Sequence, residues 1–295
     1  MRKHLFFLAA ALCFASSACQ LPATAEPKPR DPLVVVATAS YPGANCQVVA
    51  DTIAAPIEQQ INGAEGLLRI ESEAKNDGSY SVRVLFDSKT DPQAAVKAIE
   101  KRIALAEPAL PDLVRRNGIS VKIAEAKPGE QKPAIALIDR GEHGFDALQK
   151  LAGALTKRLA ADGAITKPVI FPVAEKQALV QIDRKKCAQL GVSLADVYTV
   201  MQAAGSTAKA DVLKKLKVRS TRNQMIPVGT IAAIEEVTGP TTVYRLNLFP
   251  AIRISGTPPE GKSAADAAKR WLELAEAELK RGDSKGFALE NLSAR

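Results

Sequence analysis

A hairpin of two alternating segments is the feature that most restricts the fold of this chain. Residues 67–74 and 80–87 alternate apolar and polar side chains, and Asn76-Asp-Gly78 lies between them. Asn, Asp and Gly tolerate positive φ, so this tripeptide predicts a tight turn. One side of the second segment is apolar: Val82, Val84 and Phe86. The pattern predicts an antiparallel sheet with one buried face.

Two amphipathic helices are predicted around this hairpin. Residues 44–62 have a stripe formed by Val48 or Val49 and three isoleucines, and Pro56 should kink that helix because it removes a backbone donor. A second helix begins at Asp91-Pro92, with Asp as the cap and Pro in the first turn. Its inner stripe is Val96, Ile99, Ile103 and Ala106. Strands at 33–39 and 119–124 complete a β-α-β-β-α-β order, the split βαβ of ferredoxin type.

A second unit with the same order follows a linker and spans residues 132–293. Its helices begin near Phe145, at Ser193 and at Ser263, where Ser193 and Ser263 are predicted caps. Residues 174–176 are expected to turn, and the lysine-rich residues 205–217 are expected to form a loop. Strands are predicted at 134–138, 169–173, 178–182, 230–236, 241–245, 250–255 and 287–292. The fold class is α+β: two tandem ferredoxin-like subdomains, the first at residues 33–126.

The N-terminus has the pattern of a secretory signal. A basic start, an apolar run at residues 5–18 and the small-residue site Ala23-Thr-Ala25 predict a signal peptide over residues 1–25, followed by a Pro-rich lead-in at 26–32. Lipidation at Cys19 and an uncleaved anchor are the alternatives. The sequence therefore predicts a periplasmic or otherwise extracytoplasmic protein.

Composition argues against several classes of function. Cleavage lowers the formal charge from +8 to +6, because Arg2 and Lys3 are removed, and only 4% of residues are aromatic. A modest, scattered charge with few rings to stack bases argues against nucleic-acid binding. Cys46 and Cys187 could pair, but two small half-buried side chains are the preferred interpretation.

The chain shows no constellation typical of a catalytic or cofactor site. His143 is the one histidine after the signal peptide, and it shares no ligand spacing with Cys46 or Cys187. The matches to S-x-x-K at Ser72 and Ser206 lack the partner motifs of penicillin-binding proteins. We therefore expect no enzyme activity, no cofactor and no metal.

Three stretches of the first unit resemble the first porter subdomain of the resistance-nodulation-division (RND) efflux permeases, acriflavine-resistance type. They are Tyr41-Pro-Gly-Ala-Asn45, Ala55–Gly63 and Asn76–Tyr80, in the order and spacing of that family. Further stretches resemble the second subdomain: 179–184, 190–197, 224–228, 237–241, 249–256 and 259–263. The resemblance implies the tandem porter fold and a relation to efflux.

Departures from the family pattern limit what the resemblance implies. The family has a docking insertion in the second subdomain, where this sequence offers only residues 205–217. It also has four porter subdomains and membrane helices, and a proton path across lipid needs a spanning structure. The resemblance implies no particular binding residue in this chain.

Three functions remain open at this point. The first is an exported porter-like protein that works beside an RND permease or adaptor, or binds apolar small molecules in a cleft between subdomains. The second is a scaffolding module without a ligand, monomeric or homotrimeric, and the third is a degenerate permease fragment. In the family the helix matching residues 91–107 lies near a trimer axis. Its polar face is either solvated or an assembly face: Lys97, Glu100, Lys101 and Arg102.

Overall fold

Residues 32–124, 132–204, 210–281 and 284–293 are described by a computed structural model of the chain. The predicted signal peptide with Cys19, and all of the lead-in except Pro32, lie outside these residues. The predicted linker is described only from Lys132 onward.

The first half forms the predicted elements in the predicted order. Strand β1 spans Leu33–Ser40, and the hairpin strands β2 and β3 span Leu67–Lys75 and Ser79–Phe86. Helix α3 spans Pro92–Ala106, and its cap is confirmed, since the Asp91 side chain accepts a hydrogen bond from the Ala94 amide at 2.8 Å. A turn at Glu107–Ala109, helix α4 (Asp112–Asn117) and strand β4 (Ser120–Ile123) complete this half.

The first predicted helix is divided by a change of helix type. Helix α1 (Cys46–Val49) passes into a π-helical segment at Ala50–Ala54 and then into helix α2 (Ala55–Ile61). Pro56 has no amide hydrogen to donate to the carbonyl of residue 52, and a local widening of the helix is one way to accommodate that loss. Val49, and not Val48, is the buried valine of the stripe.

The second half contributes strands to the same sheet as the first. Strand β5 spans Ala134–Asp139, helix α5 Phe145–Ala161 and strand β6 Thr166–Phe171. After an insertion come strands β11 (Thr242–Leu246) and β12 (Phe249–Thr257), helix α10 (Ala264–Leu279) and strand β13 (Phe287–Asn291). The sheet has nine strands in the order β13-β5-β12-β11-β2-β3-β1-β4, with β6 also paired to β12.

The pairing of β11 with β2 joins the two halves. Thr242 lies opposite Lys75 and Leu246 opposite Glu71, in antiparallel register. All pairings in the sheet are antiparallel, and helices pack on one side of it, which confirms the α+β class.

The insertion between β6 and β11 is a folded module of residues 174–240. Strands β7 (Ala174–Ile182) and β10 (Ala232–Pro240) pair along their whole length as a separate ribbon. Its other elements are α6 (Arg184–Leu190), α7 (Leu194–Ala204), α8 (Ala210–Lys215), β8 (Lys217–Arg219), β9 (Met225–Pro227) and α9 (Val228–Ile231). We call residues 174–240 the inserted module. It has its own apolar core, which includes Cys187, Val197 and Val228.

Three local predictions for this module are wrong. The described part of the expected loop at 205–217 contains helix α8 and the first residue of β8, because Leu213 gives this lysine-rich stretch a buried anchor. The expected turn at 174–176 lies inside β7, and Pro172 and Val173 separate β7 from β6 instead. Thr230 belongs to helix α9, so the strand predicted at 230–236 begins only at Ala232.

Candidate functional site

The two faces of the nine-stranded sheet differ in what covers them. Side chains such as Ile70 and Val84 pack with helices α1 to α3, and Ile135 and Ile252 pack with α5 and α10. Their neighbours along each strand point to the opposite face, since strand side chains alternate. The apolar cluster on that face contains no helical residue among those described: Ala136, Ile138, Tyr244, Leu246 and Ala251. We call these two surfaces the helix-covered face and the helix-free face.

An arginine between two aromatic rings is the central feature of the helix-free face. The Arg253 guanidinium carbon lies 5.0 Å from the ring centroid of Phe171 and 5.5 Å from that of Tyr244. The two rings meet edge to face, with centroids 6.1 Å apart. The distances from the guanidinium carbon to the two ring centroids are both within cation–π range. We call Phe171, Tyr244 and Arg253 the aromatic–arginine cluster.

The Tyr244 hydroxyl has no hydrogen-bond partner within the described part of the chain, although it is buried. Burial raises the pKa of this phenol, and the nearby Glu71 carboxylate adds to the effect. The group is therefore a neutral donor. An unpaired buried hydroxyl costs stability, so a bound molecule or water that accepted its hydrogen would be stabilised there.

Charged groups continue the helix-free face beside the cluster. The Arg69 and Glu71 side chains form an ion pair at 2.8 Å, with only 12% and 13% of each side chain exposed. Arg69 also donates to the Leu292 carbonyl, and Asn247 donates to Glu290 at 3.1 Å. Burial raises the pKa of Glu290, which Arg69 opposes. This face thus offers aromatic, cationic and anionic groups side by side.

Three polar side chains on the helix-covered face are instead hydrogen-bonded to one another. Glu58 of α2 is fully buried, and its carboxylate accepts from the Ser72 hydroxyl at 2.5 Å and from Arg245 Nε at 2.9 Å. Arg245 also donates to the Leu248 carbonyl. Burial raises the pKa of Glu58, and Arg245 and Ser72 oppose that rise. Because Glu58 and Ser72 belong to the first half and Arg245 to β11, this cluster fastens the two halves.

Two of the sequence motifs fold against each other at one end of the hairpin. The Tyr41 amide donates to the Gly78 carbonyl at 2.8 Å, and the Asn45 side chain caps α1. Gly78 has φ +81°, and a Cβ there would overlap the Tyr41 carbonyl, so the turn requires glycine. Asn76 Oδ1 accepts from the Cys46 amide at 2.8 Å. The motifs therefore build a structural joint.

This joint also holds the base of the inserted module. Asn76 Nδ2 donates to Gln177 Oε1 at 2.5 Å, and Cys46 Sγ donates to the Pro240 carbonyl at 3.3 Å. The Tyr198 ring lies over Gly43 so closely that a Cβ at Gly43 would sit 3.3 Å from it. The motif residues thus position the module relative to the sheet.

The predicted assembly face divides into free and engaged residues. Lys97, Glu100 and Lys101 are exposed on α3. Arg102 is half-buried and donates to the carbonyls of Gln60, Asn62 and Gly63, at 2.6, 3.2 and 2.8 Å. These carbonyls belong to the last turn of α2 and to the residues just after it, where backbone acceptors lack helical partners. Arg102 therefore packs α3 onto α2.

The contacts and burial of His143 and of the two cysteines indicate structural roles. Asp139 is buried at the end of β5 and accepts from His143 Nδ1 and from the amides of Gly141 and Gly144, all at 2.9 Å. Burial alone would raise the pKa of Asp139, but these hydrogen bonds outweigh it and lower the pKa. Cys46 and Cys187 are both buried free thiols. The described residues contain no group of three metal-ligating side chains.

Sequence reasoning named no residue of the helix-free face as a site. The signal available was the alternation in 242–246, which places Tyr244 and Leu246 on one side of β11. Which rings then meet depends on pairing between distant strands, which local periodicity does not encode. No helix within the described ranges has the length and apolarity to cross a bilayer.

Comparison with known proteins shows where the chain has relatives. The model of the AcrB/AcrD/AcrF family matches residues 2–129 and 200–289. The solvent-resistant pump membrane transporter SrpB of Pseudomonas putida is 37% identical over 114 residues, or 39% of this chain and 11% of SrpB. The multidrug export protein AcrF of Escherichia coli is 40% identical over 103 residues, or 35% of this chain and 10% of AcrF.

The toluene efflux pump membrane transporter TtgB, also of Pseudomonas putida, is 37% identical over 107 residues, or 36% of this chain and 10% of TtgB. The chain thus spans about a tenth of the length of these curated relatives. The family model covers most of the chain, in two segments that include the first half of the sheet and strands β11 and β12 of the second half. By this match the chain belongs to the AcrB/AcrD/AcrF family, that of the RND efflux permeases.

Proposed function

We propose that this protein is an exported, porter-like component of RND efflux that binds apolar solutes on the helix-free face. It works in the periplasm, after signal cleavage near Ala25, beside a membrane-embedded permease or its adaptor. It is neither an enzyme nor a pump by itself. The observation that carries the proposal is the aromatic–arginine cluster on a sheet face that no described helix covers.

The chemistry of this face suits apolar and aromatic solutes. Phe171 and Tyr244 supply ring surface, and Arg253 supplies a cation that can stack on an aromatic ligand as it now stacks on protein rings. The unpaired Tyr244 hydroxyl and the Glu71 carboxylate provide a donor and an acceptor. A few polar groups on an apolar surface are typical of small-molecule sites.

The relatives support the same class of ligand. Their names describe export of solvents, toluene and multiple drugs. The matched part is about a tenth of each relative, which supports a share of their task and not the whole of it. Two porter-like subdomains of ferredoxin type are the fold we propose to perform that share.

Fluorescence titration with Nile red tests solute binding. We expect the dye to bind the wild type and Phe171→Ala to weaken binding about tenfold or more, because one wall of the cluster is lost. Arg253→Lys keeps the charge but loses the planar stack and should weaken binding several-fold. Leu105→Ala is the matched control, since Leu105 is an exposed apolar residue on α3. Equal affinity in all four proteins would contradict the proposed site.

Cross-linking in native cell envelopes tests the proposed partners. Tagged wild type should capture an RND permease or adaptor, and a Lys97→Glu, Lys101→Glu variant should capture less of it if the exposed part of α3 is the assembly face. Analytical ultracentrifugation of the same two proteins measures whether a homotrimer forms and depends on these residues. Recovery of the chain alone, with the wild type and the variant both monomeric, would contradict assembly through α3.

Scaffolding without a ligand is the second candidate. The observation that favours it is that the rings of Phe171 and Tyr244 pack on each other and on Arg253, which leaves Tyr244 only 1% exposed. If these side chains stay packed on one another, no ring surface is left to which the dye can bind. Absence of dye binding together with capture of a permease or adaptor would select this alternative.

A further inference from the structure

Strand β13 forms an edge of the nine-stranded sheet. It pairs with β5 on one side, and no strand within the described ranges pairs with its other side. An unpaired edge is a row of backbone donors and acceptors that can receive another strand. The outward-facing backbone groups of β13 and the side chains around them determine what this edge can bind.

The hydrogen bonds to β5 settle which backbone groups are free. The Arg140 amide donates to the Gly286 carbonyl, and the Leu292 amide donates to the Ala134 carbonyl. In an antiparallel pair, residues directed toward the partner strand alternate with residues directed away. Leu289 and Asn291 therefore point both backbone groups toward the open edge. The Phe287 carbonyl points the same way, while its amide bonds within a turn to Ser284.

A cleft runs along this open edge. Its volume is about 520 Å³, and it lies between the last turn of α10 and the first residues of β13. Apolar side chains from both elements line it: Leu279, Phe287 and Leu289. Phe287 is held from behind by the His143 ring, stacked at 4.5 Å. An open strand edge beside a helix, with apolar side chains between them, is the geometry in which sheets accept an extended peptide.

The charges at the cleft indicate the sign of the occupant. Among the described residues that line the cleft, Lys280 and Lys285 are both exposed and Glu276 supplies one carboxylate. A segment with carboxylates at alternate positions would place them beside these ammonium groups while its backbone bonded to Leu289 and Asn291. We propose that the cleft between α10 and β13 binds an extended, acidic segment of a partner protein by strand addition to β13.

This interaction is independent of solute binding on the helix-free face. Phe287 and Leu289 belong to the apolar cluster that contains Trp271 of α10, on the helix-covered side of the sheet. Loss of the aromatic–arginine cluster would leave the cleft unchanged. The proposed interface can therefore be tested separately from solute binding.

Fluorescence anisotropy of the full chain with two labelled octapeptides is that test. The acidic probe alternates Val and Glu, and the basic probe alternates Val and Lys. We expect the acidic probe to bind at least tenfold more tightly than the basic one, and to weaken as NaCl is raised from about 50 to 500 mM. An acidic probe with N-methyl groups on alternate residues should not bind, since strand addition needs its amide hydrogens.

Variants separate the two parts of the interaction. Lys280→Glu with Lys285→Glu changes only exposed side chains and should weaken acidic-probe binding tenfold or more. Leu289→Pro removes an outward amide while leaving the amides that face β5, and proline is tolerated where the N–H faces solvent. It should abolish probe binding, whereas the matched Leu289→Ala should retain most of it. Hydrogen exchange should slow at the Leu289 and Asn291 amides when the probe is bound.

Three results would overturn the proposal. The N-methylated probe could bind as well as its parent, or the lysine variant could bind the acidic probe as the wild type does. Alternatively, size-exclusion chromatography could show a dimer that Leu289→Pro dissociates, with no probe bound by either form. That last result would assign the edge to a second copy of this chain. If Leu289→Pro fails to fold, the lysine variant and the N-methylated probe still decide.

Discussion

The two faces of the sheet use polar residues in opposite ways. On the helix-covered face, Glu58, Ser72 and Arg245 satisfy one another in a buried cluster that ties the halves together. On the helix-free face, Tyr244 has an unpaired hydroxyl and Arg253 is held by rings rather than by a carboxylate. Completed networks specify structure, while groups with spare bonding capacity are available to a ligand. The contrast between the two polar clusters supports the proposed solute site on the side without helices.

Removal of Glu58 should have the largest effect. Glu58→Ala leaves Arg245 without its carboxylate in a half-buried site, and breaking such a pair costs about 3–5 kcal/mol. Urea denaturation followed by circular dichroism measures the loss. The double variant Glu58→Leu, Arg245→Leu should cost less than Glu58→Ala, because no unpaired charge remains. A decrease in the free energy of unfolding of less than about 1 kcal/mol for Glu58→Ala would show that this cluster does not hold the two halves of the sheet together.

Asp139 offers a pH-dependent test at the end of β5. Its pKa in the folded state is lowered, so its contribution to stability is present above the unfolded pKa of ~3.9 and is lost as pH falls through the folded value. Asp139→Asn should cost about 2 kcal/mol at pH 7, because charge-assisted bonds from His143, Gly141 and Gly144 are weakened. Unfolding free energies from pH 7 to pH 3 measure this. The gap between the two proteins should begin to close below pH ~4 and narrow further towards pH 3, and a constant gap would contradict the assignment.

Arg102 and its neighbour should separate packing from exposure on α3. Arg102→Ala should cost about 1–2 kcal/mol, since three carbonyls at the C-terminal end of α2 lose a charged donor. Lys101→Ala, one residue away and exposed, should change stability by less than about 0.5 kcal/mol. Thermal unfolding of the two variants measures the difference. Equal costs would mean that Arg102 is as free as the lysines of the predicted assembly face.

The two buried tyrosines compare the faces most directly. Tyr80 lies on the helix-covered face, and neither its hydroxyl nor that of Tyr244 has a partner among the described residues. Tyr80→Phe should raise the free energy of unfolding by about 1 kcal/mol, because an unsatisfied group is removed. Tyr244→Phe should give a similar gain without a ligand, because its hydroxyl is equally buried, but it should lose the stabilisation that a solute accepting this hydrogen would add. Chemical denaturation with and without Nile red measures both effects, and equal stabilisation of the wild type and of both variants by the dye would contradict a ligand contact at Tyr244.

Local patterns predicted the local parts of this fold. Alternation in 80–87 and the cap at Asp91 reflect interactions within a few residues, so β3 and α3 were predicted nearly to their ends. The pairing of β11 with β2 depends on register between strands far apart in sequence, which no local period contains. The continuous sheet and the helix-free face follow from that pairing and were therefore not foreseen.

The inserted module shows a second reason for failure. Its helices α6 and α8 are short and lysine-rich, so their apolar stripes contain only one or two residues, such as Cys187 and Leu213. Helices of that length are decided by packing rather than by propensity. For the candidate site, Lys97, Glu100 and Lys101 were located correctly on an exposed helix face, while their proposed role in assembly stays a prediction.

The join between β2 and β11 also has a consequence for biogenesis. Strand β2 is synthesised long before β11, because the rest of the first half, the segment from β5 to β6 and the inserted module lie between them in the sequence. Until residues 242–246 are synthesised, β2 has an unpaired edge that can pair with another nascent chain. Pairing between strands as far apart in sequence as β2 and β11 is also slow. Premature termination after residue 124 should thus yield an aggregation-prone product, so correct folding of the first half depends on a strand that is synthesised late.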